Sequence, residues 1–366
     1  MTTSAATLLP RAALLGALCL SQGCQYTDGD LFWVSRNKAH MPVWVRGNTD
    51  SGVFVIFNHG GPGSSALFEV YREASPGVDT IGDISPLRTL EEDYAVVYWD
   101  QRHQGNAQGN ADPAETTWED FAADLEMVVD VMNERHDVDD VFTIGQSWGQ
   151  SVATMYMTLG DRWETRQSKL TGHIDYKGNI DSNQPYRIAV PKGTVIAQER
   201  IGAGDDPDFW RGCIDFWKAT PELEDGEDFY RHFDCVYTAM DGNIPFGQRL
   251  QTSVAFTLVG PHNGWYHWAN SRASTSNAAF IERVVEASPL LETAHRVRVP
   301  TLMIHGAYDL VAPPEVGQWY HDTIETPEED KELVILEDSP HGAIGADRQI
   351  FLDRIRGFLE TYRGRR

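Results

Sequence analysis

Short, largely apolar runs at 53–57, 94–99, 141–144, 301–304 and 333–336 are closed by Asn58, Asp100, Gly145, His305 and Glu337. Strands buried on both faces read this way, without polar alternation. A further strand is predicted around Ile174, and antiparallel edge strands over 31–34 and 43–46. Between these runs the period lengthens. Trp118, Phe121, Leu125, Val128, Val129 and Met132 recur at helical spacing, with Thr117 and Asp120 set as a capping box. A helix over 147–159 is stopped by Gly160, and Phe351, Ile355, Phe358, Leu359 and Tyr362 mark a last amphipathic helix. The alternation predicts a mostly parallel sheet with crossover helices. From about 182 to 291 it stops, and a stretch rich in Trp, Tyr, Phe and acids reads as a helical insertion. The expected organisation is a core at 25–182 and 292–366, interrupted by a helical cap at 183–291.

Composition narrows the partners. A chain of 366 residues with 41% hydrophobic content can bury a sizeable core. Its formal charge of -24 argues against nucleic acid and against docking on anionic lipid. The acids are dispersed, which fits a solubilising surface. Residues 1–24 read as an export signal: Arg11 precedes a short apolar stretch, and Ser21, Gly23 and Cys24 follow. Cys24 after small residues resembles a bacterial lipobox, although Leu20 lies one place too early; Cys24 is then a lipid attachment point or a free thiol. Cys19 leaves with the signal. Cys213 and Cys235 remain, and outside the cytoplasm such a pair forms a disulfide. The expected location is therefore the periplasm or cell surface of a bacterium, with any membrane attachment only through a lipid on Cys24. No metal-ligand spacing occurs, so neither metal nor cofactor is expected.

The chemistry centres on Gly145, Gln146, Ser147, Trp148 and Gly149, a G-x-S-x-G pattern between a strand-like run and a helix. In that context the glycines allow a sharp turn that lifts the serine above the sheet. A serine hydroxyl needs a base, and an α/β sheet of this kind supplies its acid and histidine later in the chain, at strand ends. Asp309 follows the 301–304 run and His341 follows the 333–336 run, giving Ser147 as nucleophile, His341 as base and Asp309 as the acid that orients it. His305, at a strand end, and His321, on a helical stretch, read as packed and surface residues. Glu337 and Asp338 lie too near His341 in sequence to reach it. His59, Gly60, Gly61, Pro62 and Gly63 close a core strand where backbone amides can face a substrate oxygen, so the amides of Gly61 and Trp148 are the expected oxyanion donors.

These motifs, with Asp100, Gln101 and Arg102 and the segment from Thr116 to Trp118, resemble in order the prolyl iminopeptidases and related α/β-hydrolases. The resemblance covers the core and implies the α/β-hydrolase fold with an inserted helical cap. It departs in the cap. Where the family carries a Trp-Glu pair to hold a substrate amine, this chain has Trp217 and Lys218, and a second acidic segment is matched only by residues around Trp265 and Trp268. His103 stands where the family's loop has Gly. Trp217, Lys218, Trp265 and Trp268 are the expected substrate-contacting positions, while each aromatic taken singly also fits the cap's own core.

The expected activity is hydrolysis of an amide or ester through an acyl-enzyme on a small-molecule or short-peptide substrate. A prolyl-iminopeptidase-like aminopeptidase and a carboxylesterase of the same fold are the two enzymatic readings. A catalytically silent binding protein on the same scaffold is the third.

Overall fold

The computed structural model describes residues 29–66, 86–240, 288–342 and 346–365. The expected signal segment with Cys19 and Cys24 lies outside them. The apolar runs become strands of one nine-stranded sheet in the order β1-β2-β4-β3-β6-β7-β8-β9, with β5 paired to β2. The strands are β1 (Asp30–Arg36), β2 (Ala39–Gly47), β3 (Val53–Asn58), β4 (Ala95–Trp99), β5 (Gln108–Gly109), β6 (Asp140–Gln146), β7 (Gly172–Tyr176), β8 (Thr301–Gly306) and β9 (Lys331–Leu336). β1 and β2 pair antiparallel at one edge, and from β4 to β9 every pairing is parallel. The mostly parallel sheet expected from the sequence is thus the one the chain forms.

Helices cover both faces. In chain order they are α1 (Trp118–Arg135), α2 (Trp148–Thr158), α3 (Trp163–Gln167), α4 (Asn183–Ala203), α5 (Pro207–Ala219), α6 (Gly226–Met240), α7 (Leu290–Thr293), α8 (Pro314–Thr323) and α9 (Asp347–Tyr362). α1 begins at the expected capping box, Thr117 and Asp120 each satisfying the other's backbone N–H. Leu125, Val128 and Met132 of α1 join Val152 and Met155 of α2 on one face of the sheet. Phe351, Ile355 and Phe358 of α9 pack on Val55, Phe142 and Ile174 on the other. β3 is buried at every position, which is why its sequence is uniformly apolar up to Asn58.

α4, α5 and α6 follow β7 and precede β8, and they carry a core of their own. Tyr186, Trp210, Ile214, Phe216, Trp217 and Val236 form it, joined by Leu310 and Val311 from the segment after β8. Those two residues tie the inserted helices to the strand end that carries Asp309. Cys213 of α5 and Cys235 of α6 are joined by a disulfide, Cα–Cα 5.9 Å, so the expected pairing is present.

The tightest packing lies where β6 turns into α2. A side chain carbon added to Gly149 would stand 1.9 Å from the carbonyl oxygen of Asn58, at the end of β3. One added to Gly145 would meet the Gln150 backbone at 2.6 Å. α2 therefore runs directly against the ends of its two neighbouring strands, and only hydrogen fits at these positions. Gly149→Ala is expected to cost about 1–3 kcal/mol or more through overpacking against backbone. Gly212, inside α5, has no heavy atom within 4 Å of the added carbon. Gly212→Ala should be neutral or stabilising by up to about 1 kcal/mol. Urea unfolding of both variants checks the contrast, and equal effects would contradict it.

Candidate active site

Ser147 sits between β6 and α2 with φ 52° and ψ -120°, a conformation that side-chain-bearing residues rarely adopt. The turn is held from outside, because the Ser147 N–H donates to the Tyr176 carbonyl at 3.1 Å, at the end of β7. The hydroxyl projects from the N-terminus of α2, where the backbone dipoles favour negative charge. Gly60 lies against it: a carbon added there would come within 3.4 Å of the Ser147 Cβ.

His341, after β9, places Nε2 3.2 Å from the Ser147 hydroxyl oxygen. Its Nδ1 lies 2.6 Å from Oδ2 of Asp309, after β8. Asp309 is itself fixed, since Oδ1 accepts the Val311 and Ala312 N–H groups at 2.7 and 2.9 Å. One carboxylate oxygen is thus committed to the loop and the other to the imidazole, whose Nδ1 must carry the proton. That leaves Nε2 as an acceptor facing Ser147. Burial lowers the His341 pKa below its ordinary value against the pull of Asp309, and the Lys177 ammonium pushes the same way as burial. Lys177, just beyond β7, also donates from Nζ to the His341 carbonyl at 2.8 Å and so holds the loop that presents the ring.

Beneath Asp309 is a second buried pair. His305 lies between Oδ2 of Asp175 at 3.3 Å and the Ala312 carbonyl at 3.2 Å. Both partners can accept, an arrangement that favours a proton on each ring nitrogen. Burial pulls its pKa down most strongly, but Asp175, the Ala312 carbonyl and Asp309 together raise it, and the net direction is upward. His305 is therefore the packed, hydrogen-bonded residue expected, and it braces the loop that holds Asp309.

The segment from Asp100 to Arg102 organises the glycine-rich loop after β3. Asp100 accepts from the Ser65 hydroxyl, the Ala66 N–H and the Asn106 N–H. Gln101 donates from Nε2 to the His59 carbonyl at 2.9 Å, and its Oε1 accepts from the Trp148 indole N–H at 2.9 Å. The same oxygen accepts from Gln104, whose own Oε1 accepts the Gly63 N–H. One amide side chain thereby joins the loop carrying Gly61 to the turn carrying Trp148. Arg102 forms a two-pronged pair with Asp124 of α1, both buried.

Ser147, Trp148, Gly61 and Pro62 line one side of a narrow cleft. Its walls are Pro185 and Tyr186 of α4, Leu223 ahead of α6, Phe229 and Phe233 of α6, and Val311. The described lining residues with polar side-chain atoms are Ser147, Trp148, Asn179, Ser182, Tyr186 and His232, and none is a carboxylate or a cationic amine. Gly61 and Trp148, the expected oxyanion donors, line the cleft together with Ser147. Two other expectations are corrected. Lys218 is exposed on the outer side of α5, and Trp217 is buried in the core of the inserted helices, so neither lines the cleft. The apolar stripe of α5 turns Trp217 inward, and Gly193 of α4 makes room for its ring, leaving the next position facing water. Trp265 and Trp268 lie outside the described residues. Sequence reasoning gave Gln101 no role beyond its motif and passed over Lys177, Asp175 and His232, because their partners lie 15 to 164 positions away and leave no local pattern.

Among solved structures, an esterase from Rhodococcus sp. ECU1013 superposes with a TM-score of 0.55 at 16% identity, over 92% of this chain and 100% of its own. An esterase from Exiguobacterium antarcticum does so with a TM-score of 0.55 at 18% identity, over 91% and 99%. The fold is that of the α/β-hydrolases. Within it, the family model for the serine aminopeptidases, S33, matches residues 88–174. The proline iminopeptidase of Neisseria meningitidis is 28% identical over 120 residues, 33% of this chain and 33% of that protein. The chain thus matches about a third of the length of these curated relatives, and the resemblance drawn from the motifs extends to α/β-hydrolases of this kind.

An imidazole placed as His341 is can accept the Ser147 proton only when neutral. Its lowered pKa predicts that kcat/KM for any substrate turned over falls with acid only below pH 6.5. Lys177→Met removes a neighbouring positive charge, so the acid limb should move to higher pH while kcat falls. A pH profile of both proteins checks this, and an unmoved limb in Lys177→Met would contradict it.

Proposed function

We propose that the protein is a serine acyl hydrolase acting on substrates with an uncharged acyl group, esterase-like in preference. The observation that carries the reading is the chain of contacts from Ser147 to His341 to Asp309. Ser147 attacks the acyl carbon as His341 takes its proton; Asp309 holds the ring and stabilises the imidazolium. The oxyanion faces the Gly61 and Trp148 amides, the latter at the N-terminus of α2. His341 then returns the proton to the leaving group, and water activated by the same ring releases the acyl group.

The preference for an uncharged acyl group rests on the described cleft walls, which are apolar and carry no carboxylate to pair with a substrate ammonium. The aminopeptidase reading is favoured instead by the S33 family match and the proline iminopeptidase relatives. The disulfide, and the sequence pattern ahead of Cys24, support export to an oxidising compartment, with a lipid on Cys24 as the means of any attachment. Among the described residues no helix is long and apolar enough to cross a membrane.

Ser147→Ala should lower kcat on the preferred substrate by about 10⁴-fold or more, and adding His341→Ala should cost little further. Alanyl p-nitroanilide and its N-acetyl counterpart share one scissile bond and differ in the charged amine. The blocked compound should give the larger kcat/KM. A strong preference for the free amine, or for the prolyl anilide above all others, would establish the aminopeptidase reading in its place.

A further inference from the structure

Trp217 lies behind the cleft, and it acts on the cleft through a histidine. Its indole N–H donates to Nδ1 of His232 at 3.3 Å. An indole nitrogen only donates, so Nδ1 of His232 accepts and the ring's one proton is on Nε2. His232 is 4% exposed, and burial lowers its pKa to about 3, so the ring is neutral at any ordinary pH. Tyr186 meets it edge-on at 4.7 Å and Phe233 flanks it at 6.1 Å. No side chain among the described residues accepts from Nε2, and His232 is one of the residues lining the cleft above Ser147. The result is an imidazole N–H, fixed in tautomer, beside Tyr186, Leu223, Phe229 and Phe233, with Asn179 and Ser182 elsewhere in the described lining.

A donor on a residue that lines a largely apolar cleft is paired by a substrate acceptor that reaches it, and a substrate lacking that acceptor forgoes the hydrogen bond. An N–H cannot hold an ammonium. It suits a carbonyl oxygen. Building on the acyl hydrolase reading above, we propose that His232 is a substrate-recognition residue whose Nε2–H donates to a neutral oxygen acceptor carried within the acyl group. Trp217 is then a positioning residue: it sets the tautomer without touching substrate. The preferred substrates are esters of acyl chains that bear a ketone, amide or similar carbonyl some atoms from the scissile bond, in place of plain alkanoates.

The test compares p-nitrophenyl heptanoate with counterparts carrying a ketone at each carbon from the fourth to the sixth. For the native protein at least one ketone ester should exceed the plain ester by about tenfold in kcat/KM. His232→Phe keeps an aromatic ring without the donor and should bring that ratio to within about twofold of one. Trp217→Phe leaves His232 in place but frees its tautomer, and should lower the ratio in the same direction; it serves if His232→Phe fails to fold. A native ratio near one for every ketone ester overturns the proposal, as does a ratio that survives both substitutions. If the native protein cleaves none of the esters, the acyl hydrolase reading fails separately. His232 is then tested by calorimetry on Ser147→Ala protein with heptanamide and its oxo counterparts. Tighter binding of an oxo amide supports the donor, and equal affinities refute it.

Discussion

Ser147 is held at φ 52° and ψ -120° by close neighbours around the turn. Such a conformation costs about 1–3 kcal/mol, and it persists only where the surroundings over-determine it. Here they do so from three sides. The Tyr176 carbonyl takes the Ser147 N–H, the Asn58 carbonyl presses on Gly149, and Gln150 presses on Gly145. β3, β6 and β7 are adjacent parallel strands, so the Asn58 end of β3 and the Tyr176 end of β7 flank the turn, and Gln150 closes it from α2. The serine stands clear of the sheet as a consequence of strand register. His341 and Asp309 reach it because β8 and β9 continue the same parallel series and end on the same side.

Around that turn, charge is placed where it is fully committed. Asp309, Asp100 and Asp175 each accept two or more contacts from backbone or side-chain groups, and Asp124 is matched prong for prong by Arg102. Satisfied in this way, buried carboxylates fix loops; a buried charge left without partners would expel or neutralise itself. Neutral groups do the remaining positioning. Gln101 joins two turns with one amide, and Trp217 sets the tautomer of His232. The described cleft is left with apolar walls and few polar groups, the arrangement that lets those few decide what binds.

Much of the frame was legible because it depends on local pattern. Unbroken apolar runs identified the buried parallel strands, Thr117 and Asp120 identified the start of α1, and the glycines around Ser147 identified the turn. Asp309 and His341 were found because the order of strands predicts where loops must converge. Position along the helices of the insertion was less legible. α5 is amphipathic, and the sequence names its apolar stripe without saying which element the stripe meets; Trp217 therefore fits either a pocket or the cap's core, and it is a core residue. Lys218, one place on, was read from its alignment with a family carboxylate, and one step along a helix turns a side chain by roughly a third of a turn, here into water. Lys177 and His232 owe their roles wholly to partners distant in sequence.

The central claim is that the backbone turn at Ser147 presents an activated nucleophile to His341. Incubation with a fluorophosphonate, followed by proteolysis and mass spectrometry, tests it without any assumption about substrate. A single adduct on the peptide containing Ser147, formed more slowly as pH falls through the His341 titration, is the predicted result. An adduct on another residue, or none on folded protein at neutral pH, would contradict the account.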